Sequence, residues 1–155
     1  MKRKIRKMTQ NSITNSQKLS SQIIEHEGMI PYAYQDSLGF WTIGVGRLID
    51  KRKGGKLSLD EIQYLLNNDI KDCWSSLGVY RWFSNQDEVR QGVLVELMFN
   101  MGLPNLLGFS KMIAALTIKD YLTAAQELLS SKWAKQVGIT RIQNIQHRLL
   151  TGTYP

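Results

Sequence analysis

A glycine-rich, β-forming segment that interrupts an otherwise helical chain constrains this fold most. Residues 32–50 are rich in Tyr, Phe, Trp, Ile and Val and contain three glycines, which is typical of short strands joined by tight turns. Before this segment, Leu19, Ile23 and Ile24 recur at helical spacing, and that pattern stops near Gly28. The sequence therefore predicts an α+β fold, with a small antiparallel sheet near the N-terminus followed by a mainly helical body.

Capping patterns indicate where helices of the body begin. The patterns are Ser58 with Glu61, Asn85 with Glu88, and Thr140 with Gln143. The first predicts a helix over about 59–77, whose apolar stripe from Leu59 to Cys73 should face inward. The second precedes the run V-R-Q-G-V-L-V-E-L-M-F-N-M, which is apolar on most faces and should form the central buried helix. Shorter helices are expected near 106–116, 119–131 and 141–150.

The positive charge of the chain is concentrated at its start. The formal net charge is +7, but residues 1–24 hold six Lys or Arg and no acid, which leaves residues 25–155 at +1. Residues 1–15 are basic and then rich in polar residues, which predicts a flexible arm before one domain over 16–155. The arm could contact anionic membranes or wall polymers. The basic stretch K-R-K-G-G-K at 51–56 is expected to be a solvated loop.

Several classes of protein are disfavoured by the same composition. No apolar run approaches the roughly 20 residues of a membrane span, and no apolar stretch follows the basic start, so no signal peptide is predicted. The single cysteine, Cys73, excludes an intrachain disulfide. His26 and His147 show no metal-ligand spacing, so no metal and no cofactor are expected. The body lacks a basic face, so no nucleic-acid partner is expected, and a monomer is predicted.

Two acids and a hydroxyl in the run from Glu27 to Thr42 point to chemistry. Glycosidic-bond hydrolysis needs one carboxyl kept protonated and a second kept ionised. Glu27 ends the first predicted helix after an apolar stretch, where burial would favour the protonated form and a general-acid role. Asp36, in the polar turn Q-D-S-L-G, suits the ionised base, and Thr42 could hold the attacking water. Taken singly, each residue also has an ordinary structural explanation as a helix end, a turn former or a strand residue.

The whole run resembles the phage-type lysozymes of glycoside hydrolase family 24, the family of the T-even phage lysozyme. The family's pattern is E, eight residues, D or C, five residues, then T, and Glu27, Asp36 and Thr42 keep this spacing. The resemblance continues through L-N-N-D-I, M-F-N-M-G, G-F-S, S-K-W and R-L-L-T-G-T and spans residues 19–155. It implies a lysozyme-like fold with a cleft between a small sheet lobe and a mainly helical lobe.

The resemblance also implies roles for individual residues. Glu27 matches the general acid, Asp36 the residue that activates water, and Thr42 the hydroxyl that completes the site. The matched substrate-binding positions are Leu48, Phe99 and Asn100, and Arg141, which the family places against the catalytic glutamate. Arg47 occupies the place of a histidine that pairs with an acid in the T-even enzyme, so an ion pair between Arg47 and Asp69 is expected.

By this resemblance the chain would be a muramidase. It would hydrolyse the β-1,4 bond between N-acetylmuramic acid and N-acetylglucosamine in peptidoglycan, with inversion, as an endolysin for host-cell lysis. The enzyme would reside in the host cytoplasm and act in the periplasm or cell wall after a holin-type partner has permeabilised the membrane. The alternatives are a lysozyme module that helps a phage enter the cell, another wall-remodelling lysozyme, and a basic nucleic-acid-binding helical protein.

Overall fold

The computed structural model describes residues 17–155, so the predicted arm over residues 1–15 lies outside the described residues. The chain divides at Ile62 into two compact units. The first contains helix α1 over residues 17–27, a small sheet and the beginning of α2, whereas the second is helical. The predicted α+β class is therefore confirmed. In residues 17–155 no helix combines the length and apolarity that crossing a bilayer would require.

A three-stranded antiparallel sheet follows α1 in the first unit. Its strands are β1 (Ile30–Gln35), β2 (Trp41–Gly44) and β3 (Arg47–Leu48), and they pair in chain order. Thr42 in the central strand lies opposite Tyr34 of β1 and Leu48 of β3. A 3₁₀ turn, Lys51–Lys53, follows the sheet. Strand and turn chemistry in residues 32–50 thus predicted this part of the fold correctly.

The second unit is built around α4. Its helices are α2 (Leu59–Leu77), which begins before the division, α3 (Arg81–Ser84), α4 (Glu88–Met101), α5 (Leu103–Leu107), α6 (Ser110–Thr117), α7 (Tyr121–Leu129), α8 (Lys132–Gln136) and α9 (Ile139–Thr151). Val93, Leu94 and Leu97 of α4 are completely buried, which confirms the predicted central helix. Both α4 and α7 pack on α9, and α6 packs on α7.

The predicted start of α2 is confirmed in detail. The Ser58 N–H donates to Glu61 Oε2 at 2.8 Å, and the Glu61 N–H donates to Ser58 Oγ at 3.4 Å. These reciprocal bonds satisfy backbone donors that the first turn of a helix leaves unpaired. The helix then runs over Leu59–Leu77, as the capping pattern predicts.

Two predicted caps are wrong. Asp87 caps α4 in place of Asn85, because Asp87 Oδ1 accepts a hydrogen bond from the Arg90 N–H at 3.0 Å. Asn85 instead ends α3. The last helix begins at Ile139 after Gly138, so Thr140 lies inside it. Several acceptors close together in sequence can compete for one helix start, and spacing alone does not choose among them.

The apolar stripe of α2 is buried only towards its C-terminal end. Cys73 and Leu77 belong to the core of the second unit, whereas Leu59 is 86% exposed and Asp69 is also exposed. The prediction that the whole stripe faces inward is therefore wrong, because periodicity identifies a helix face but not how much of it a neighbour covers. A carboxylate buried on this stripe would need a partner, but Asp69 is exposed and has no such need. Arg47 forms an ion pair with Glu61 of the first unit.

Candidate active site

Glu27 is the last residue of α1, Gly28 follows it in the chain, and Gly46 of the β2–β3 turn lies close to its carboxyl. The Gly28 N–H donates to the Ile24 carbonyl at 2.9 Å, and the φ of Gly28 is +78°, a conformation that glycine adopts without a steric cost. A Cβ atom added at Gly46 would lie 3.7 Å from Glu27 Oε2, so the β2–β3 turn passes beside this carboxyl. Gly46 carries no side chain to cover it, and Glu27 is exposed. The predicted burial of this carboxyl is therefore wrong.

Asp36 follows β1 and closes a tight turn. Its Oδ1 accepts hydrogen bonds from the N–H groups of Leu38 at 2.9 Å and Phe40 at 2.8 Å. The main chain closes the same turn, because the Asp36 N–H donates to the Phe40 carbonyl and the Gly39 N–H donates to the Asp36 carbonyl. Among the residues that the structure describes, Oδ2 of Asp36 has no hydrogen-bond partner. Asp36 thus presents one unengaged carboxylate oxygen from a well-fixed turn.

Thr42 is joined to Asp36 through a single carbonyl group. Its side chain is buried, and its Oγ1 donates to the Phe40 carbonyl at 3.2 Å. The same carbonyl oxygen accepts the Asp36 N–H at 2.9 Å. Because the hydroxyl proton is used in this bond, Thr42 Oγ1 remains available as an acceptor. The structure therefore brings together two of the residues that the sequence predicted for the site.

Asp50 is a buried acid that the sequence analysis missed. Its Oδ2 accepts the Trp41 N–H at 3.2 Å, and its Oδ1 accepts the backbone N–H of Arg52 at 3.0 Å, which caps the 3₁₀ turn. The Arg52 guanidinium adds bonds from Nε at 2.9 Å and Nη2 at 2.5 Å. Chiefly through these side-chain hydrogen bonds, Arg52 holds the pKa of Asp50 well below its usual range. An Asp directly before a K-R-K-G-G turn was the signal that could have identified this cap.

Arg52 also contacts the turn that carries Asp36. Its Nη2 donates to the Gly39 carbonyl at 3.2 Å, and its guanidinium carbon lies 5.2 Å from the centre of the Phe40 ring. Lys53 Nζ lies 4.6 Å from the same ring. Residues 51–54 and 56 are exposed, as predicted for a solvated loop, and the contacts of Arg52 also connect the 3₁₀ turn to the Asp36 turn.

Leu48 completes the predicted site residues of the first unit. It is half-buried in β3, and its Cα partner across the sheet is Thr42. Residues paired across a sheet share a face, so Leu48 lies on the same face of the sheet as Thr42.

The other predicted site residues, Phe99, Asn100 and Arg141, belong to the second unit. Phe99 is 49% exposed near the end of α4. Asn100 Oδ1 accepts the Trp133 Nε1–H at 2.7 Å, and the guanidinium carbon of Arg141 lies 5.9 Å from the centre of the Trp133 ring. Asn100 and Arg141 thus contact one indole. The predicted placement of Arg141 against Glu27 remains a prediction.

Glu96 is a second acid that the sequence analysis missed. Its Oε1 accepts Arg141 Nε–H at 3.0 Å, and its Oε2 pairs with the buried Arg148. One carboxylate therefore fixes the Nε side of Arg141 and leaves the terminal nitrogens of the guanidinium for other acceptors. In residues 17–155 no group of three or more His, Cys, Asp or Glu side chains is arranged to hold a metal ion.

Comparison with known proteins gives a consistent result. A family model described as Phage lysozyme matches residues 24–149, a stretch that includes Glu27, Asp36 and Thr42. Probable T4-type lysozyme 1 of Dictyostelium discoideum is 26% identical over 130 residues, which cover 66% of this chain and 76% of that protein. The SAR-endolysin of Haemophilus phage HP1 is 31% identical over 101 residues, which cover 63% of this chain and 53% of that protein.

Proposed function

Because this chain belongs to the phage lysozyme family, we propose that it hydrolyses the β-1,4 bond between N-acetylmuramic acid and N-acetylglucosamine. Family membership makes the protein a glycoside hydrolase of the lysozyme type, with peptidoglycan as its substrate. To this family assignment we add four proposals. They are the bond that is cleaved, the stereochemical outcome, the residues that act and the biological role.

The geometry of the Asp36 turn is the single observation that carries the proposal. Asp36 Oδ1 is held by two backbone N–H groups, while Oδ2 remains without a partner among the described residues. Thr42 Oγ1, linked to the same turn through the Phe40 carbonyl, is available as an acceptor. A water molecule could give one proton to Asp36 Oδ2 and donate its other to Thr42 Oγ1. Its lone pair would then be free to attack the anomeric carbon.

Glu27 is proposed as the general acid. Its exposure and the missing side chain at Gly46 support the approach of a sugar to this carboxyl. In hydrolysis, Glu27 would give its proton to the leaving glycosidic oxygen while Asp36 receives one from the water on the opposite ring face. The proton count balances, and the nucleophile is water, so the product would have inverted configuration. We propose sugar contacts for Leu48, Phe99, Asn100 and Arg141.

We further propose that the enzyme is an endolysin that causes host-cell lysis. Its likeness to a phage SAR-endolysin supports a role in acting on the wall of an infected cell. On this proposal the enzyme is made in the host cytoplasm and reaches the wall after a holin-type partner permeabilises the membrane.

Replacement of Glu27 and Asp36 tests the proposed chemistry. Glu27→Gln should reduce turnover of purified peptidoglycan by about 10²–10⁴-fold, because a positioned general acid contributes that much to the rate. Asp36→Asn should cause a comparable loss. Glu25→Gln is the matched control, since Glu25 is an exposed acid on the same helix, and it should retain wild-type turnover. If Glu27→Gln keeps more than about a tenth of the activity, Glu27 is not the general acid.

The products of the wild-type enzyme distinguish the reaction type. Mass spectrometry should find muramic acid at the reducing end, whereas a 1,6-anhydro end would mean a lytic transglycosylase. NMR of nascent products should show the α anomer first, since direct attack by water inverts the configuration of a β-linked sugar. Early appearance of the β anomer would overturn the assignment of Asp36 as the residue that activates water.

A further inference from the structure

We propose that Asp50 and Arg52 are positioning residues that hold the Asp36 turn in the conformation required for water activation. The inference rests on the proposed function, because it assumes that Asp36 activates the water. Neither residue needs to touch substrate. Both would act through the backbone and the aromatic ring that stand between them and Asp36.

Asp50 is the anchor of this arrangement. It is a buried carboxylate, and both of its oxygens are occupied: Oδ1 by the N–H and Nε–H of Arg52, and Oδ2 by Arg52 Nη2 and the Trp41 N–H. The Trp41 bond places Asp50 directly against β2, one residue before Thr42. Because charge-assisted and bidentate bonds are short and directional, Asp50 orients the Arg52 guanidinium relative to the sheet, although the Arg52 side chain is 62% exposed.

Arg52 transmits that orientation to the turn. The Nη2 group that binds Asp50 also donates to the Gly39 carbonyl, and the guanidinium lies near the Phe40 ring. Gly39 and Phe40 are the residues whose main chain closes the turn on Asp36, and the Phe40 N–H binds Asp36 Oδ1. Arg52 therefore binds the carbonyl of Gly39, and the next residue, Phe40, donates the hydrogen bond that orients the Asp36 carboxylate.

The arrangement requires an arginine rather than any cation. The contacts use the backbone N–H, Nε and Nη2 of Arg52, and a lysine ammonium cannot reproduce the planar fork that the last two provide. Lys53 Nζ lies 4.6 Å from the centre of the Phe40 ring and supplies positive charge there, with no hydrogen bond to the turn among the described residues. The test must therefore separate charge from hydrogen-bond geometry.

Kinetics of three variants on a short soluble glycan distinguish the effect of charge from the effect of hydrogen-bond geometry. Arg52→Met removes the charge and the fork, Arg52→Lys keeps the charge alone, and Lys56→Met removes one exposed charge from the same loop. Arg52→Met and Arg52→Lys should each lower kcat by about 10-fold with KM changed less than about twofold, because small misplacements of a catalytic group reduce rate more than binding. Lys56→Met should match the wild type.

Hydrogen exchange provides a readout that a loss of global stability does not imitate. In Arg52→Met the Phe40 amide should exchange at least about tenfold faster, while amides of the α4 core keep wild-type protection. Lys56→Met should leave the Phe40 amide unchanged. Circular dichroism spectra that match between the variants at the assay temperature, well below each thermal midpoint, would confirm that the kcat changes are local.

The outcomes distinguish this inference from the proposed function. If Asp36→Asn is inactive but Arg52→Met behaves like Lys56→Met, the positioning role is overturned and the proposed function stands. If Asp36→Asn remains active, the assignment of Asp36 fails and the positioning role fails with it. If Arg52→Lys restores full kcat, charge rather than hydrogen-bond geometry explains Arg52, and the inference is also overturned.

Discussion

Three acids of the first unit, Asp50, Asp36 and Glu27, differ in what their side chains accept, and this difference suits them to different proposed roles. Asp50 has both oxygens occupied by donors and is buried, which suits a structural anchor. Asp36 Oδ1 accepts two N–H groups, and Oδ2 has no partner among the described residues, which suits a group that takes a proton from water. Glu27 is exposed at the end of a helix beside a glycine. All three are acids in turn or helix-end positions, so composition alone would not have distinguished them.

The stability of the protein should depend on Asp50 at acidic pH. Because Arg52 holds the folded-state pKa of Asp50 well below its unfolded value of about 3.9, the stabilisation is present above that pH and is lost as the pH falls. The unfolding free energy of the wild type should therefore decline more steeply below about pH 4 than that of Asp50→Asn. Thermal unfolding at pH 7, 4 and 3 measures the difference.

Arg52→Met is the companion variant for this measurement. It removes the main cause of the lowered pKa, so its acid sensitivity should resemble that of Asp50→Asn. Curves for wild type and Asp50→Asn that stay parallel from pH 7 to pH 3 would contradict the role assigned to the Asp50–Arg52 pair.

At the scale of helices and strands, local chemistry explains where elements start and stop. Gly28 ends α1 in a left-handed conformation, and the reciprocal Ser58–Glu61 bonds start α2. The sequence identified both ends because glycine and the capping box are short-range signals. The start of α4 was harder to predict, since Asn85 and Asp87 are both good cap residues two positions apart.

The identity of the α4 cap can be measured directly. Asp87→Ala should reduce the free energy of unfolding by at least about 1–2 kcal/mol, because it removes the acceptor of the Arg90 N–H and also the ion-pair partner of the buried Arg90 side chain. Asn85→Ala, the residue that the sequence pattern favoured, should cost less than about 0.5 kcal/mol, as is usual for a surface substitution. Urea unfolding of both variants gives the comparison, and a larger loss for Asn85→Ala would show that the helix begins where the sequence placed it.

For the whole molecule, charge is divided unequally along the chain. Residues 1–24 hold six basic residues and no acid, while residues 25–155 are nearly neutral at +1. Adsorption to an anionic surface and hydrolysis of a glycan would therefore depend on different parts of the chain. We keep the arm over residues 1–15 and the catalytic domain over 16–155 as a proposal.

Deleting residues 2–15 tests whether surface adsorption and glycan hydrolysis depend on different parts of the chain. Turnover of a short soluble glycan should remain unchanged, because the proposed catalytic groups begin at Glu27. Binding to anionic vesicles or walls should weaken, and most at low salt, since exposed charges are screened within about 10 Å at 0.1 M ionic strength. Vesicle co-sedimentation at two salt concentrations, together with glycan kinetics, measures both effects. Loss of turnover on the short glycan would show that the arm supports the catalytic domain.

The sequence by itself determined the family, the fold class and the order of the longer elements, but it missed the short helices α3 and α8 and the break between α5 and α6. The family match over residues 24–149 confirms the resemblance carried by Glu27, Asp36 and Thr42. These features depend on spacing, periodicity and turn chemistry, which act over a few residues and can be read along the chain. The roles of the individual site residues remain proposals that the Glu27 and Asp36 variants test.

Only the tertiary structure decided which groups meet across longer separations. It placed Arg52 against Gly39, set Glu96 between Arg141 and Arg148, and left Glu27 and the N-terminal part of the α2 stripe exposed. No local rule predicts these outcomes, because burial and pairing depend on which segments the folded backbone brings together. The residues proposed for the chemistry were visible in the sequence, but the contact between Arg52 and Gly39 that is proposed to hold the Asp36 turn appeared only once the chain had folded.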